Sequence, residues 1–405
     1  VDGKQVITRH VRALLGTEAI IGTGSADQPL VAPADEAAAS LLLRTAASEG
    51  WRVGIVGGGR WCPTDTPADL LVSSRRMDRI PLVSAADLVA TAGAGAAWSG
   101  LRRALAEHGV WLAADPPGPE RTVGSVIATG TSGPLAAGFG RLRDHLLGVT
   151  FVSGEGRVVS AGGRVVKNVA GYDLTKLAIG SYGAFGIITS VTLRVRAVPR
   201  ADSTLVTSGP RDELIDAALA VTDAGMSPSA LELCRGAGEL GSQWTLAARL
   251  TGRDAEVAAA AVAVRQATDV IWRDLGRDEA AGFWTSVQQA MSSGPATVRL
   301  GTLPTAIEPC LDLVQHRLRE GSISVTVPLG RVRWCGPMNP EDLQRLRQAA
   351  AQREIPLTLE RGSWMLRAAV GHYGAYREGV GPLVAELRRA FDPRDVLLVP
   401  IGDDG

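Results

Sequence analysis

The chain has 405 residues, 45% of them hydrophobic and 21% charged, with 42 basic and 42 acidic side chains. That length suggests two or three domains with sizeable cores, and the even charge balance argues against a nucleic-acid binder. The 4 cysteines lie far apart with no C-x-x-C pair, which excludes a self-contained iron–sulfur cluster and a disulfide framework and fits a reducing cytoplasm.

In chain order, the opening VDGKQVITRHVRALLG lacks the long apolar core of a signal peptide. No apolar run reaches the about 18 residues that a spanning helix needs, so any membrane association would run through a partner. A first helix is expected over residues 35–49, started by Asp35 and Glu36 and stopped by Gly50. A strand over 53–56 then enters Gly57-Gly58-Gly59-Arg60-Trp61. A strand over 87–91 precedes a second helix with Trp98, Leu101 and Leu105 on one face and its end at Gly109. After the small-residue stretch 118–140 comes a hairpin turning on Gly154-Glu155-Gly156, then a short helix near 173–179. A half-buried strand with Val191, Leu193 and Val195 facing inward ends at Pro199. Residues 203–274 read as strand, helix, strand, strand, helix, strand, the order of a ferredoxin-like sandwich. The last helix is expected over 382–391.

Three segments carry chemistry. Glycines 57–59 free successive backbone N–H groups to curl around an anion, and a pyrophosphate is a natural guest. The pattern is not G-x-G-x-x-G, and the residues after it do not open a helix, so the site is not of the Rossmann type. The second segment, from Asp115-Pro116-Pro117-Gly118 to Gly133, combines a rigid lead-in with small residues. A flat ring and a ribityl chain can lie against such a backbone, with Thr122, Ser125, Thr129 and Ser132 supplying hydroxyls. The third holds Lys167 and Tyr172, followed by the glycine-spaced run 180–189. Lys167 would complement negative charge on a reduced ring, or else be an ordinary solvated lysine.

Taken together, GIVGGGRW, DPPGPERTVGSVIATGTSG, GGRVVKNVAGYDLTKL and GSYGAFGIITSVTLRV resemble the FAD-binding PCMH-type domain of the vanillyl-alcohol oxidase superfamily. Within it the chain looks like the FAD-binding subunits of bacterial glycolate oxidase, relatives of D-2-hydroxyacid dehydrogenases. The resemblance implies an α+β protein: an extension (1–26), a two-subdomain FAD domain (27–199), a ferredoxin-like α+β cap domain on the substrate side (200–375), and a C-terminal helix returning to the FAD domain (376–405).

It also implies site residues. Gly57, Gly58, Gly59, Arg60 and Trp61 match the pyrophosphate loop. Pro116, Pro117, Thr122, Val123, Gly124, Ser125, Gly130, Ser132 and Gly133 match the segment lining pyrophosphate, ribityl chain and ring. Ile187 and Ile188 match the strand entry at the nucleotide half. No histidine follows the glycine run, so noncovalent FAD is expected, with Cys62 a thiol attachment point only in principle. Gly371-His372-Tyr373-Gly374 stands where relatives carry a histidine-rich metal and carboxylate motif, and the missing second histidine and aspartate argue against a metal.

The expected activity is oxidation of a small 2-hydroxy acid such as glycolate or D-lactate. A second FAD subunit and an iron–sulfur subunit are the expected partners. The alternative is a flavin-bearing relay or assembly subunit without chemistry of its own; a flavin reductase has no distinguishing feature here. Arg299, Arg331, Arg333 and Arg367 are candidate carboxylate clamps. Lys167, Tyr172 and His372 are the candidates for catalysis, and no base is assigned.

Overall fold

In a computed structural model, residues 3–61, 64–163, 173–236, 241–374 and 378–400 are described. Among them the strands form sheets of four, five, two and eight strands, in an α+β architecture.

The four-stranded sheet runs Ile20–Thr23, Pro29–Val31, Leu70–Val72, Val53–Ile55. Its covering helix, Glu36–Glu49, starts where the sequence placed it: Asp35 accepts a hydrogen bond from Ala38 N at 2.9 Å, and Gly50 closes it at φ 71°. The stretch expected to be an extension contributes helix Gly3–Leu15, whose Ile7 and Val11 share a core with Leu42 and Val53.

The five-stranded antiparallel sheet is ordered Leu82–Ser84, Val89–Gly93, Ile187–Arg194, Leu146–Val152, Val158–Gly162. Helix Trp98–Glu107 buries Trp98, Leu101 and Leu105 against the same core as Val191 and Leu193. The strand expected at 87–91 lies at Val89–Gly93, because Leu88 takes a left-handed turn conformation (φ 54°) just before it.

The eight-stranded sheet confirms the sandwich order and doubles it. Strands Arg273–Leu275, Ala201–Gly209, Trp244–Gly252 and Ala230–Arg235 lie side by side, which is fourth, first, third and second in chain order. A second unit of the same kind follows: Ser322–Thr326, Arg331–Gly336, Ala296–Gly301, Leu357–Arg361, with helices Ile307–Arg317 and Pro340–Ala351 as its crossovers. The two units join through their second strands, Leu233 pairing with Val325. One correction concerns 269–274: only Arg273–Leu275 pairs, because Ile271 turns into solvent (91% exposed) and Trp272 folds back to Thr268.

Both cap units bury one face under their own crossover helices. On the other face, helix Arg277–Ser293 covers Val206, Cys234 and Ala247. The rest of that face carries charge and meets the loop around Ser132.

Candidate functional site

The site is built from the three chemistry-bearing segments. Strand Val53–Ile55 delivers the glycine turn, and Gly57 and Gly59 need positive φ (50° and 70°). Ser73 Oγ donates to Gly57 O, and an Arg75 guanidinium N–H donates to Gly58 O. The turn therefore faces helix Val123–Thr129 in a fixed pose: a β-carbon on Gly57 would lie 3.4 Å from Thr122 Oγ1 and 3.6 Å from Ser125 Cβ. Thr122 caps that helix by accepting from Ser125 N at 3.3 Å. Gly124 lets the helix press onto the sheet, since a side chain there would strike Ala94 Cβ at 2.7 Å.

A narrow slot opens between these parts. It is lined by Gly57 from the turn, Gly124, Ser125, Ala128 and Thr129 from the helix, and Tyr182, Gly183, Gly186, Ile187 and Ile188 from the third segment. The slot is narrow, and Gly57, Gly124, Gly183 and Gly186 present bare backbone to it, a lining whose chemistry suits the phosphates of a dinucleotide.

The expected residues separate into two groups. Gly57, Gly124, Ser125, Ile187 and Ile188 line the slot, Gly58 and Thr122 stand against each other beside it, and Gly59 faces Thr64 and Arg75. Val123 lies beneath it in the core, and Arg60 is exposed. Trp61 turns away: it is buried, lies 3.9 Å under the Arg121 guanidinium and donates its indole N–H to Glu360 O at 2.8 Å.

None of Pro116, Pro117, Gly130, Ser132 and Gly133 lines the slot; the cap reaches Ser132 and Gly133, and Gly130 faces Ile179 and Gly180. Gly130 closes the helix at φ 62°. Gly133 packs so tightly that a β-carbon would sit 1.8 Å from Asp115 O. Arg331 donates to Ser132 O at 3.0 Å and to Gly133 O at 3.4 Å, and Arg333 to Ser132 O at 3.0 Å. Lys167, Tyr172 and Cys62 lie outside the described residues.

All four candidate clamp arginines are engaged. Arg333 and Arg299 pair with the buried Glu360 at 2.8 and 2.9 Å. Arg331 holds the loop carbonyls, and Arg367 pairs with Asp65 at 2.7 Å. Burial alone would raise the Glu360 carboxyl, but Arg333 and Arg299 hold it down to about 2. Burial and the neighbouring Arg333 and Arg299 bring Arg331 down to about 9. Two more buried carboxyls lie in this seam. Asp115 is pushed up to about 6 by burial, and Glu232 up to about 7. Glu232 accepts from Ser324 Oγ through one oxygen, while its Oε2 has no partner among the described residues.

His372 is not a loop residue in solvent. Its ring stacks on Tyr182 with centroids 3.6 Å apart, and its Nδ1 lies 2.8 Å from Leu359 O. Burial, with Arg367 and Arg347 nearby, lowers it to about 3, so the imidazole is neutral at physiological pH. Tyr373 OH donates to Gly180 O at 2.6 Å, so the 371–373 segment braces the slot's outer wall. Among the described residues no group of three His, Cys, Asp or Glu side chains could hold a metal, and no helix is long and apolar enough to cross a membrane.

Sequence reasoning missed Tyr182, Arg121 and Glu360. Tyr182 stood inside a glycine-spaced run, and its left-handed backbone (φ 51°) had no sequence signal. Glu360 lies about 230 residues from the loop whose contacts it organises.

Residues 28–162 match the FAD binding domain family. The chain is 40% identical over 121 residues to the glycolate oxidase subunit GlcE of Escherichia coli, covering 29% of this chain and 35% of that protein. It is 35% identical over 158 residues to a mitochondrial D-lactate dehydrogenase [cytochrome] of Arabidopsis thaliana, covering 39% and 28%. The matches thus span about a third of each relative's length. In fold the chain is similar to the 4-ethylphenol oxidase of Gulosibacter chungangensis, with a TM-score of 0.75, 13% identity, and coverage of 98% and 96%. Residues 28–162 are an FAD-binding domain, and FAD is its cofactor.

Proposed function

We propose that this chain, with its FAD-binding domain over residues 28–162, is an oxidoreductase subunit that oxidises a small 2-hydroxy acid such as glycolate or D-lactate and passes the electrons to a partner. The observation that carries the reading is the convergence of the glycine turn, helix Val123–Thr129 and the 182–188 segment on one slot. FAD, when bound, supplies a two-electron hydride acceptor.

The chain's own residues have separable tasks. The backbone around Gly57–Gly59 and Ser125 would hold the phosphates. Ser132 and Gly133 would seat the ring, their carbonyls fixed by Arg331 and Arg333. Arg299, with 34% of its side chain exposed, is the most accessible cation of the Glu360 cluster and the candidate carboxylate clamp.

A second reading, a flavin-bearing relay subunit whose partner performs the chemistry, draws support from the engagement of all four arginines with protein groups. A second FAD subunit and an iron–sulfur subunit are the partners proposed in either case. The purified chain should be yellow and release intact FAD on denaturation; a colourless preparation from gentle purification would overturn both readings. Dye reduction by the chain alone with glycolate or D-lactate would exclude the relay role. Activity only on co-expression with partners would exclude independent catalysis.

A further inference from the structure

A second cleft, of about 690 Å³, lies on the other side of the ring loop and shares no lining residue with the slot. One wall is helix Trp98–Glu107 with Trp111. The other is helix Arg277–Ser293 with strands Ala201–Gly209 and Trp244–Gly252, and Asp115 and Leu135 lie between them. Its volume is that of a small-molecule site, typically about 300–1,000 Å³.

Its charge is lopsided in a chain that is neutral overall. Five arginines line it (Arg102, Arg103, Arg200, Arg249 and Arg277) against two carboxylates. Asp202 is taken by Arg249 at 2.5 Å, and Asp115 accepts from Leu135 N at 3.0 Å. The other four arginines form no ion pair among the described residues. Guanidinium groups gathered round one concavity repel one another until an anion enters, and low-dielectric walls strengthen that attraction. The remaining lining is mainly apolar, with Trp111, Trp284, Leu112, Leu135 and several alanines beside the polar Ser99, Thr285 and Gln288, and the Trp284 indole is fixed by its hydrogen bond to Thr204 Oγ1 at 3.0 Å.

We propose that this cleft binds an organic dianion carrying a flat apolar body, such as a phosphorylated aromatic or heterocyclic compound. Arginine supplies both charge pairing and a planar face for such a ligand. The site is separate from the flavin chemistry and does not rest on the hydroxy-acid reading.

The test uses the full chain saturated with FAD, so that nucleotide probes cannot enter the slot. AMP, adenosine and inorganic pyrophosphate are titrated by calorimetry and tryptophan fluorescence. AMP should bind with a sub-millimolar Kd, at least about tenfold tighter than either of the others. The double variant Arg102→Gln/Arg277→Gln should weaken AMP about 100-fold, roughly tenfold for each charged hydrogen-bonding group lost. Both arginines are exposed, so the flavin spectrum and unfolding midpoint should stay unchanged. No saturable binding of AMP to the unmodified protein, equal affinity in the double variant, or pyrophosphate binding as tightly as AMP would each overturn the proposal.

Discussion

At the scale of single residues, glycines 124 and 133 serve tight packing. Gly133 has no room for a methyl against Asp115 O. Gly133→Ala should therefore cost about 1–3 kcal/mol in urea unfolding, from overpacking, and also lower flavin occupancy. An unchanged midpoint would show that the segment around Asp115 can yield. Glu360→Gln should be more damaging, about 3–5 kcal/mol, because it strands the buried Arg333 guanidinium without its counter-charge. The turn made by Gly57 and Gly59 could be read from residue type, because positive φ next to an apolar strand leaves a local signature. The Tyr182–His372 stack could not: it depends on two residues 190 positions apart meeting face to face.

Among the secondary-structure elements, local chemistry was the best guide. Asp35 and Gly50 bracket their helix as read, and Asp35→Ala should cost about 1 kcal/mol, measured as a lower thermal midpoint with flavin retained. The strand–helix–strand–strand–helix–strand order of 203–274 was legible because each element carries its own periodicity. The duplicate after it was not, since its pairing of Leu233 with Val325 is a long-range event with no local mark. The same explains why Arg299, Arg331 and Arg333 read as free clamps. Alternation put them on one sheet face, but Glu360 and the Ser132 carbonyl come from elsewhere in the chain.

For the molecule as a whole, the seam between the FAD domain and the cap sets the pH response. Asp115 and Glu232 have folded values raised by burial to about 6 and about 7, so they hold protons in the native state that the unfolded chain has released. Their contribution is fully present below the ordinary carboxyl range and is lost as pH rises through about 6 to 7. Glu360, held at about 2, acts oppositely: its contribution is present above about 4.5 and is lost as pH falls toward 2. From these three carboxyls, stability should peak near pH 4 and decline until about pH 7, read as the urea midpoint. Glu232→Gln should flatten the alkaline side of that profile, and an unchanged slope would remove Glu232 as its source.

The C-terminal residues complete the first core, with Val396 and Leu397 packed beside Val11 and Leu42, and Leu397 bridging to Val53. During synthesis, that nucleotide-side module cannot close until residue 397 has left the ribosome. The cap sandwiches have all their strands available earlier. A nascent chain stalled before residue 396 would therefore present a finished cap beside an unfinished nucleotide-side half.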